Sequence, residues 1–264
     1  MPDESPARRT GDGPVRYSVE EGVAWLVIDR PEHRNAIDRA VGAGLWDGLR
    51  RFDADPAARV LVLTGAGDAA FCAGADLKEM AALGLALPPA DMAPQLGANI
   101  EVAKPVIAAV NGAAYGGGFL LAQMCDLCVA AEHATFAIAE ARWGRGAPWA
   151  APLPWLVPPR VAMELLLTAR PLSARRALEV GLVNAVVPAA SLREETARLA
   201  ATVAANAPLS VRAAKAMVYR SVGSGLREAL DEGWRLFEPV YASEDAQEGP
   251  RAFVEKREPE WKGR

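Results

Sequence analysis

Apolar positions along the chain follow two alternating spacings. Short apolar runs predict strands, and they span 15–20, 23–29, 59–64, 106–110, 127–131 and 135–138. Between several of these runs, apolar residues recur at helical spacing, which predicts helices over 38–52, 76–87 and 92–103. Strands that alternate with helices are typical of parallel sheets with helical crossovers, so we expect an α/β fold.

The pattern becomes mainly helical after Pro159. Helices are predicted over 161–168, 174–180, 192–205, 210–221 and 226–243, with one strand over 182–187. Ser173 and Ser191 precede two of these helices as candidate N-caps. We therefore expect a polar, disordered tail over 1–14, an α/β core over 15–190 and a helical C-terminal subdomain over 191–264. The proline-rich segment 148–159 is either a lid or a packed surface loop.

Composition narrows the class of protein. Acidic residues (33) outnumber basic residues (29), and the net charge of -4 argues against nucleic acid as the main partner. Cys125 and Cys128 have redox-motif spacing, but they fall near a predicted buried strand without a second pair, so we expect neither a disulfide nor a metal site. Residues 105–125 lack charge, yet their proline, asparagine and glycines favour a buried strand–turn–helix over a membrane span. No signal peptide is visible, and we expect a cytoplasmic protein.

Two glycine-bearing helix starts carry the candidate chemistry. A buried strand leads through Asn111-Gly112 to Gly116–Gly118, which open an apolar helix. The first N–H groups of a helix lack intrahelical partners and lie at the positive end of its dipole, so they suit an oxygen that gains negative charge. At the second start, the amide of Ala75 precedes a helix that begins near Asp76, its candidate N-cap. Together the two starts predict an oxyanion hole for a thioester or ester enolate.

Several motifs occur in a fixed order along the chain. They are Asp29-Arg-Pro-Glu-His-Arg-Asn-Ala36, Ala70-Phe-Cys-Ala-Gly-Ala-Asp-Leu-Lys78, Lys104-Pro-Val-Ile-Ala-Ala-Val-Asn-Gly112 through Gly118, Met124-Cys-Asp126, residues 136–140, Glu179-Val-Gly-Leu-Val183 and Ala252-Phe-Val-Glu-Lys-Arg257. Through them the chain resembles the enoyl-CoA hydratase/isomerase (crotonase) superfamily over roughly residues 15–262. The resemblance implies a spiral of ββα units with a C-terminal helical trimerisation subdomain, assembled as a homotrimer or a dimer of trimers.

The resemblance also implies site residues. The substrate would be an acyl-CoA thioester, with coenzyme A as part of the substrate and no separate cofactor or metal. The amides of Ala75 and Gly117 would hold the thioester oxygen, and Glu140 would be the catalytic glutamate. Lys78 and Lys256 would bind phosphate, Lys256 from a neighbouring subunit, although a solvated surface charge is the alternative for both. The full set expected at the substrate is Arg34, Ala36, Ala75, Asp76, Leu77, Lys78, Gly117, Leu120 and Lys256.

Glu140 has an apolar setting in the sequence. A carboxyl group in such a setting has a raised pKa and can transfer a proton near neutral pH. An ion pair with Arg142 or Arg145 is the structural alternative. Ala139 stands where the family commonly carries a proline, which affects how Glu140 is placed.

One departure from the family concerns the reaction type. Family hydratases carry a second glutamate two residues after the three glycines, where this chain has Leu120. One carboxyl group favours moving a proton between two carbons of an enolate, which is isomerisation, whereas family frequency favours hydration.

Two other classes of function are alternatives to an acyl-CoA enzyme. One is a non-catalytic acyl-CoA-binding oligomer. The segment 65–70 fits a dinucleotide-binding pattern, which would indicate a nicotinamide-dependent oxidoreductase. Phe71-Cys-Ala-Gly74 follows where the helix of that pattern would run, so the pattern argues only weakly for this class of enzyme.

Overall fold

The structure, a computed structural model, describes residues 13–84 and 89–264. The predicted tail over 1–14 lies outside the described residues except for Gly13 and Pro14. The strands of the described ranges are β1 (Val15–Glu20), β2 (Val23–Ile28), β3 (Val60–Gly65), β4 (Ala70–Cys72), β5 (Val106–Val110), β6 (Ala113–Tyr115), β7 (Leu127–Ala131), β8 (Thr135–Ala137), β9 (Leu172–Ser173) and β10 (Ala185–Val187). The α-helices are α1 (Arg39–Ala54), α2 (Leu77–Ala82), α3 (Gly117–Gln123), α4 (Leu153–Leu156), α5 (Pro159–Thr168), α6 (Ala174–Glu179), α7 (Leu192–Ala204), α8 (Pro208–Ser221), α9 (Leu226–Tyr241) and α10 (Glu244–Glu255).

The strands form two sheets. The larger sheet has the order β1-β2-β3-β5-β7-β10, and the smaller has the order β4-β6-β8-β9. β1 and β2 form an antiparallel hairpin, and neighbours from β2 to β10 in the larger sheet are parallel. Each of the pairs β3–β4, β5–β6 and β7–β8 puts its first strand in the larger sheet and its second in the smaller one. This arrangement confirms the predicted spiral of ββα units.

Burial of apolar side chains explains the centre of the larger sheet. All five residues of β5 are buried, as expected for a parallel strand that is covered on both faces. α1 packs against β1 and β2 with a buried face at helical spacing, formed by Val41, Leu45, Leu49 and Phe52. α7 packs against β3 and β5, where Ala200 is fully buried. Helices α1 and α7 thus cover strands of the larger sheet and bury their apolar side chains.

The Asp126 carboxylate joins α8 to the start of β5. Its Oδ2 accepts a hydrogen bond from the Val106 N–H at 2.7 Å and lies 2.9 Å from Lys215 Nζ on α8. Its Oδ1 accepts a hydrogen bond from the Tyr219 hydroxyl at 2.9 Å. Lys215 also donates to the Lys104 carbonyl at 2.9 Å. One carboxylate therefore fixes a C-terminal helix against the first residue of the central strand.

The prediction of a helix over 92–103 is wrong. These residues form turns and an isolated bridge. The Asn99 side chain accepts a hydrogen bond from the Gln95 N–H at 2.7 Å and donates to the Ala90 carbonyl at 3.0 Å. Side-chain bonds of this kind satisfy backbone groups without a helix. Pro94 lies in the same segment and cannot donate a helical hydrogen bond.

Other helix ends also differ from the predicted ones. α2 ends at Ala82, followed by Gly84 with a φ of 61°, and the last predicted residues, 85–87, lie outside the described ranges. Ser173 caps α6 as predicted, since its hydroxyl accepts a hydrogen bond from the Arg176 N–H at 3.2 Å. Ser191 makes no cap bond, because it ends a 3-10 turn that leads directly into α7. The sequence pattern did not predict α10, which contains Gly249 and Pro250.

The proline-rich segment 148–159 is packed on one side. It contains a 3-10 helix at Pro148–Ala150 and the short helix α4. Ala150, Leu153 and Val157 are buried, whereas Trp155 is exposed. The segment therefore covers part of the core through its small and aliphatic residues.

Candidate active site

The peptide of Ala75 is held by hydrogen bonds on both sides. The Ile37 N–H donates to the Gly74 carbonyl at 2.7 Å, and the Asp76 N–H donates to the Ile37 carbonyl at 2.8 Å. Alternate N–H groups of an extended segment point in opposite directions, so the Ala75 N–H points away from Ile37. No residue in ranges 13–84 and 89–264 accepts a hydrogen bond from it. The Ala75 amide is thus a fixed donor that a ligand can use.

The start of α3 supplies a second donor. Gly116 precedes the helix with a φ of 54° and a ψ of -117°, a conformation that favours glycine. Gly117 is the first helical residue, so its N–H has no intrahelical partner. A Cβ added at Gly118 would overlap the carbonyl oxygen of Cys72 in β4. The glycines therefore let the helix start lie directly on the smaller sheet.

The two donors and one carboxyl group lie side by side. A methyl group added at Gly117 would lie 3.7 Å from the Ala75 nitrogen, and one added at Gly74 would lie 3.3 Å from the Gly117 nitrogen. A methyl group added at Gly116 would lie 3.1 Å from Oε1 of Glu140. Three residues that are far apart in the sequence are thus brought together by the two sheets.

Glu140 is half-buried beside these amides. It begins a 3-10 helix, Glu140–Trp143, and the Arg145 N–H donates to its carbonyl at 2.9 Å. Its Oε2 is buried and has no hydrogen-bond partner among the described residues. Burial raises the pKa of Glu140 above the ordinary value, although a hydrogen bond from its own N–H acts in the opposite direction. Burial therefore makes the protonated form of this carboxyl group more favourable than it is in water.

The helix α3 is largely apolar after Gly117. Leu120, which stands where family hydratases carry a second glutamate, is only 7% exposed. The Phe119 ring contacts the Trp149 ring with centroids 6.1 Å apart. One turn after Leu120, Gln123 donates from Nε2 to the Trp149 carbonyl at 3.1 Å, and its buried Oε1 has no partner within the described ranges. The segment that follows Glu140 is thus attached to the helix that begins at Gly117.

Arg30 and Asn35 belong to the frame of the site, and the sequence pattern did not reveal them. Asn35 is fully buried, and its Nδ2 donates to the carbonyls of Ala66 at 3.0 Å and Ala70 at 2.7 Å. Its Oδ1 accepts a hydrogen bond from the Arg30 N–H at 3.0 Å. The only signal for these roles was their place in the motif that ends at Ala36.

Asp76 is the N-cap of α2, as predicted. Its Oδ1 accepts hydrogen bonds from the N–H groups of Lys78 at 3.1 Å and Glu79 at 3.2 Å. Its Oδ2 lies 3.4 Å from the guanidinium of Arg30. Burial opposes ionisation of Asp76, but the amide bonds and the arginine outweigh it and hold the pKa below the ordinary value. Asp76 is therefore a charged cap next to the Ala75 donor.

The other predicted substrate residues differ in position. The Arg34 carbonyl accepts a hydrogen bond from the Ala73 N–H at 3.0 Å, so the segment that contains Arg34 and Ala36 runs beside the one that leads to Ala75. Leu77 and Lys78 are exposed on the first turn of α2. Lys256 is exposed at the end of α10 with a φ of 54°. Among the described residues, Lys256 makes no hydrogen bond or ion pair with this cluster.

A cavity of about 610 Å³ lies outside the cluster of Ala75, Gly117 and Glu140. It is lined by α1, by α2 and by the start of the segment after it, through Arg39, Ala43, Trp46, Asp47, Arg50, Glu79, Pro89, Asp91 and Met92. None of the three clustered residues lines it.

In the described part of the chain, no helix combines the length and apolar character needed to cross a bilayer.

Comparison with known proteins agrees with this architecture. A family model described as enoyl-CoA hydratase/isomerase matches residues 18–264. Carnitinyl-CoA dehydratase from Proteus mirabilis (strain HI4320) is 41% identical over 264 residues, which covers 95% of this chain and 98% of the relative. Carnitinyl-CoA dehydratase from Salmonella typhimurium (strain LT2) is 42% identical over 253 residues, which covers 90% and 94%.

Solved structures give the same result. The crystal structure of enoyl-CoA hydratase from Mycobacterium tuberculosis H37Rv has a TM-score of 0.87 at 36% identity and covers 96% of this chain and 100% of that chain. The structure of enoyl-CoA hydratase from Bacillus anthracis has a TM-score of 0.86 at 34% identity and covers 95% and 100%. The chain belongs to the enoyl-CoA hydratase/isomerase family, within the crotonase superfamily.

Proposed function

We propose that this acyl-CoA enzyme stabilises a thioester enolate with the amides of Ala75 and Gly117 and transfers one proton with Glu140. The closeness of these three groups carries the proposal. A methyl group at Gly117 would lie 3.7 Å from the Ala75 nitrogen, and one at Gly116 would lie 3.1 Å from Oε1 of Glu140. Two fixed donors and one carboxyl group are the minimum needed for enolate chemistry.

The reaction that fits best is migration of a carbon–carbon double bond. The carboxylate of Glu140 removes a proton from the carbon next to the thioester carbonyl of a 3-enoyl-CoA, and the negative charge moves to the carbonyl oxygen between the two amides. The same proton returns to the γ-carbon, which gives a 2-enoyl-CoA. Nothing is added or lost, so one carboxyl group is sufficient. Leu120 places no second carboxyl group at this position of α3.

Addition or removal of water is the second candidate. The relatives described above are named as dehydratases and hydratases. Gln123 supports this reaction, because its buried Oε1 lacks a partner among the described residues and can accept a hydrogen bond from water or a hydroxyl group. The enolate is common to both reactions, so the two amides and Glu140 keep their roles.

We assign the coenzyme A part of the substrate to the surface around Arg34, Ala36 and the first turn of α2. Asp76, Leu77 and Lys78 form that turn, and the exposed ammonium group of Lys78 suits a phosphate. By resemblance, Lys256 of a neighbouring subunit would supply a second phosphate contact. No cofactor is needed for the chemistry proposed.

Oligomer formation is part of the proposal. Exposed apolar side chains on α9 and α10 suit burial against another subunit, and they are Leu226, Leu230, Trp234, Tyr241, Phe253 and Val254. We propose a homotrimer or a dimer of trimers. Light scattering coupled to gel filtration would measure the mass, and a monomer at every concentration tested would contradict this assembly.

Turnover of two substrates by matched variants tests the function. Purified protein is incubated separately with a 3-enoyl-CoA and a 2-enoyl-CoA, and products are identified by mass spectrometry. We expect Glu140→Gln to lose at least about 100-fold in turnover, the usual effect of removing general acid–base help. Glu132→Gln, at an exposed glutamate in the β7–β8 turn, is the control and should leave the rate unchanged. Binding of both thioesters without turnover would instead support a non-catalytic acyl-CoA-binding protein.

A further inference from the structure

Arg30 connects the segment that contains Ala75 and Asp76 to the paired segment that contains Ala36 and Asp38. Its Nη1 lies 2.9 Å from the Asp38 carboxylate and donates to the Ala36 carbonyl at 3.0 Å. Its Nη2 lies 3.4 Å from the Asp76 carboxylate. The side chains of Arg30, Asp38 and Asp76 are 15%, 20% and 15% exposed. The three charges therefore form a largely buried group with one cation and two anions.

The carboxylates of Asp38 and Asp76 lie in the two paired segments that contain the Ala75 donor. Asp76 follows Ala75 directly, and Asp38 follows Ile37, which pairs with Ala75 in a parallel bridge. Each carboxylate also caps a helix, Asp38 for α1 and Asp76 for α2. Negative charges in such positions repel an enolate oxygen that forms at the Ala75 amide. A cation between them reduces that repulsion and holds the two segments together.

We propose that Arg30 is a positioning and charge-balancing residue of the oxyanion hole. It fixes the Ala75 peptide by binding Asp76, the next residue, and by binding Ala36 and Asp38 in the segment that pairs with Ala75. It also offsets the charge of two carboxylates that would disfavour an enolate. It does not touch the substrate. The proposal rests on the enolate function assigned to Ala75 and Gly117.

The test compares binding of an enolate with binding of a neutral thioester. Acetoacetyl-CoA ionises to an enolate that ultraviolet absorbance detects, whereas butyryl-CoA stays neutral. We expect Arg30→Met to raise the pH at which bound acetoacetyl-CoA ionises by about one unit, a tenfold weaker preference for the enolate. Affinity for butyryl-CoA, measured by calorimetry, should change by less than about threefold, because a neutral carbonyl gains little from the charge balance. A merely structural role would weaken both ligands equally.

Further variants separate charge from folding. Arg30→Met/Asp76→Asn removes one carboxylate together with the cation, and it should recover part of the lost ionisation. Arg30→Lys keeps the charge without the planar fork and should lie between wild type and Arg30→Met; it carries the test if Arg30→Met does not fold. Arg16→Met is the control, because Arg16 pairs with Asp29 at 2.9 Å on a more exposed surface, and it should behave as wild type.

The outcomes distinguish the two proposals. If the wild-type protein does not promote ionisation of bound acetoacetyl-CoA, the oxyanion hole itself is wrong, and the role of Arg30 is rejected with it. If the wild-type protein promotes ionisation and the Arg30 variants promote it equally, only the role of Arg30 is overturned. A parallel loss of both ligands in Arg30→Lys would also overturn it.

Discussion

The two helices that begin at the site start in opposite ways. α2 has a side-chain cap: Asp76 accepts hydrogen bonds from the amides of Lys78 and Glu79, and the free donor is the amide just before the cap. α3 has no side-chain cap, and its first helical amide, that of Gly117, is the donor itself. One donor therefore lies next to a side-chain cap, whereas the other begins a helix where glycines leave room for close packing.

This difference predicts which substitutions each donor tolerates. At α2, removing a side chain that holds the chain in place should be harmful. At α3, adding even a methyl group should be harmful, because the helix start lies against β4 and Ala75. The predictions below test this contrast, beginning with the largest expected effect.

Gly118→Ala tests the close approach of α3 to the smaller sheet. The added methyl group would overlap the Cys72 carbonyl oxygen, a backbone atom that cannot move without shifting β4. We expect the free energy of unfolding to fall by more than about 3 kcal/mol. Gly233→Ala in the middle of α9 is the matched control, because its nearest atom would be Met217 Sδ at 3.4 Å; we expect a gain of up to about 1 kcal/mol. Urea unfolding followed by circular dichroism measures both, and similar losses in both would refute the contrast.

Gly117→Ala tests the space between the donors. The methyl group would lie 3.7 Å from the Ala75 nitrogen and 3.1 Å from Cδ1 of Ile37, a side-chain end that can shift. We expect a fold that persists and a loss of about 100-fold or more in turnover, because the thioester oxygen can no longer reach both amides. Ala75→Gly keeps its N–H and should cost far less. Wild-type turnover by Gly117→Ala would remove Gly117 from the site.

Asp76→Ala tests the capped start. The substitution removes the acceptor of two helical amides and one partner of Arg30. We expect a loss of about 1 kcal/mol in the free energy of unfolding, the usual cost of deleting an N-cap. Asp76→Asn keeps a capping oxygen and should lose clearly less in the same urea titration. If the two variants are equally destabilised, the charge and not the cap is what stabilises this helix start.

Glu140→Gln has the smallest expected effect on stability, and its sign depends on pH. Burial raises the pKa of Glu140 in the folded protein. The stability that results from this raised pKa is complete below the unfolded pKa of about 4.3, and it is lost as pH rises through the folded pKa. The neutral glutamine avoids that loss. We expect the variant to be more stable than wild type at pH 7.5 by up to about 1 kcal/mol, with the difference vanishing near pH 4. Thermal unfolding at both pH values measures it; a variant less stable at pH 7.5 contradicts the burial argument.

The sequence was sufficient to predict the central strands and the two helix starts. β3 and β5 are continuous apolar runs, and buried parallel strands have that composition. The three glycines after β6 predicted a helix start with open amides, and α3 begins there. These features are local, because each depends on a few neighbouring residues.

The remaining features depend on contacts between distant parts of the chain. The neighbourhood of Ala75, Gly117 and Glu140 follows from how successive strands are divided between two sheets, which no local pattern encodes. The turn over 92–103 depends on the Asn99 side chain, which replaces helical backbone bonds. Arg30 meets carboxylates that lie 8 and 46 residues away in the sequence. β4 and β6 have three residues each, too few to establish an alternating pattern.

The bond between Asp126 and α8 has a consequence for cooperativity. The same carboxylate binds the first amide of β5, a cation on α8 and a tyrosine hydroxyl on α8. Unfolding α8 alone would leave this carboxylate without its counter-charge at the start of β5, the strand that precedes Gly116–Gly118. We therefore expect β5 and α8 to unfold as one cooperative unit, so that heating removes the C-terminal helix and enzymatic activity in the same transition.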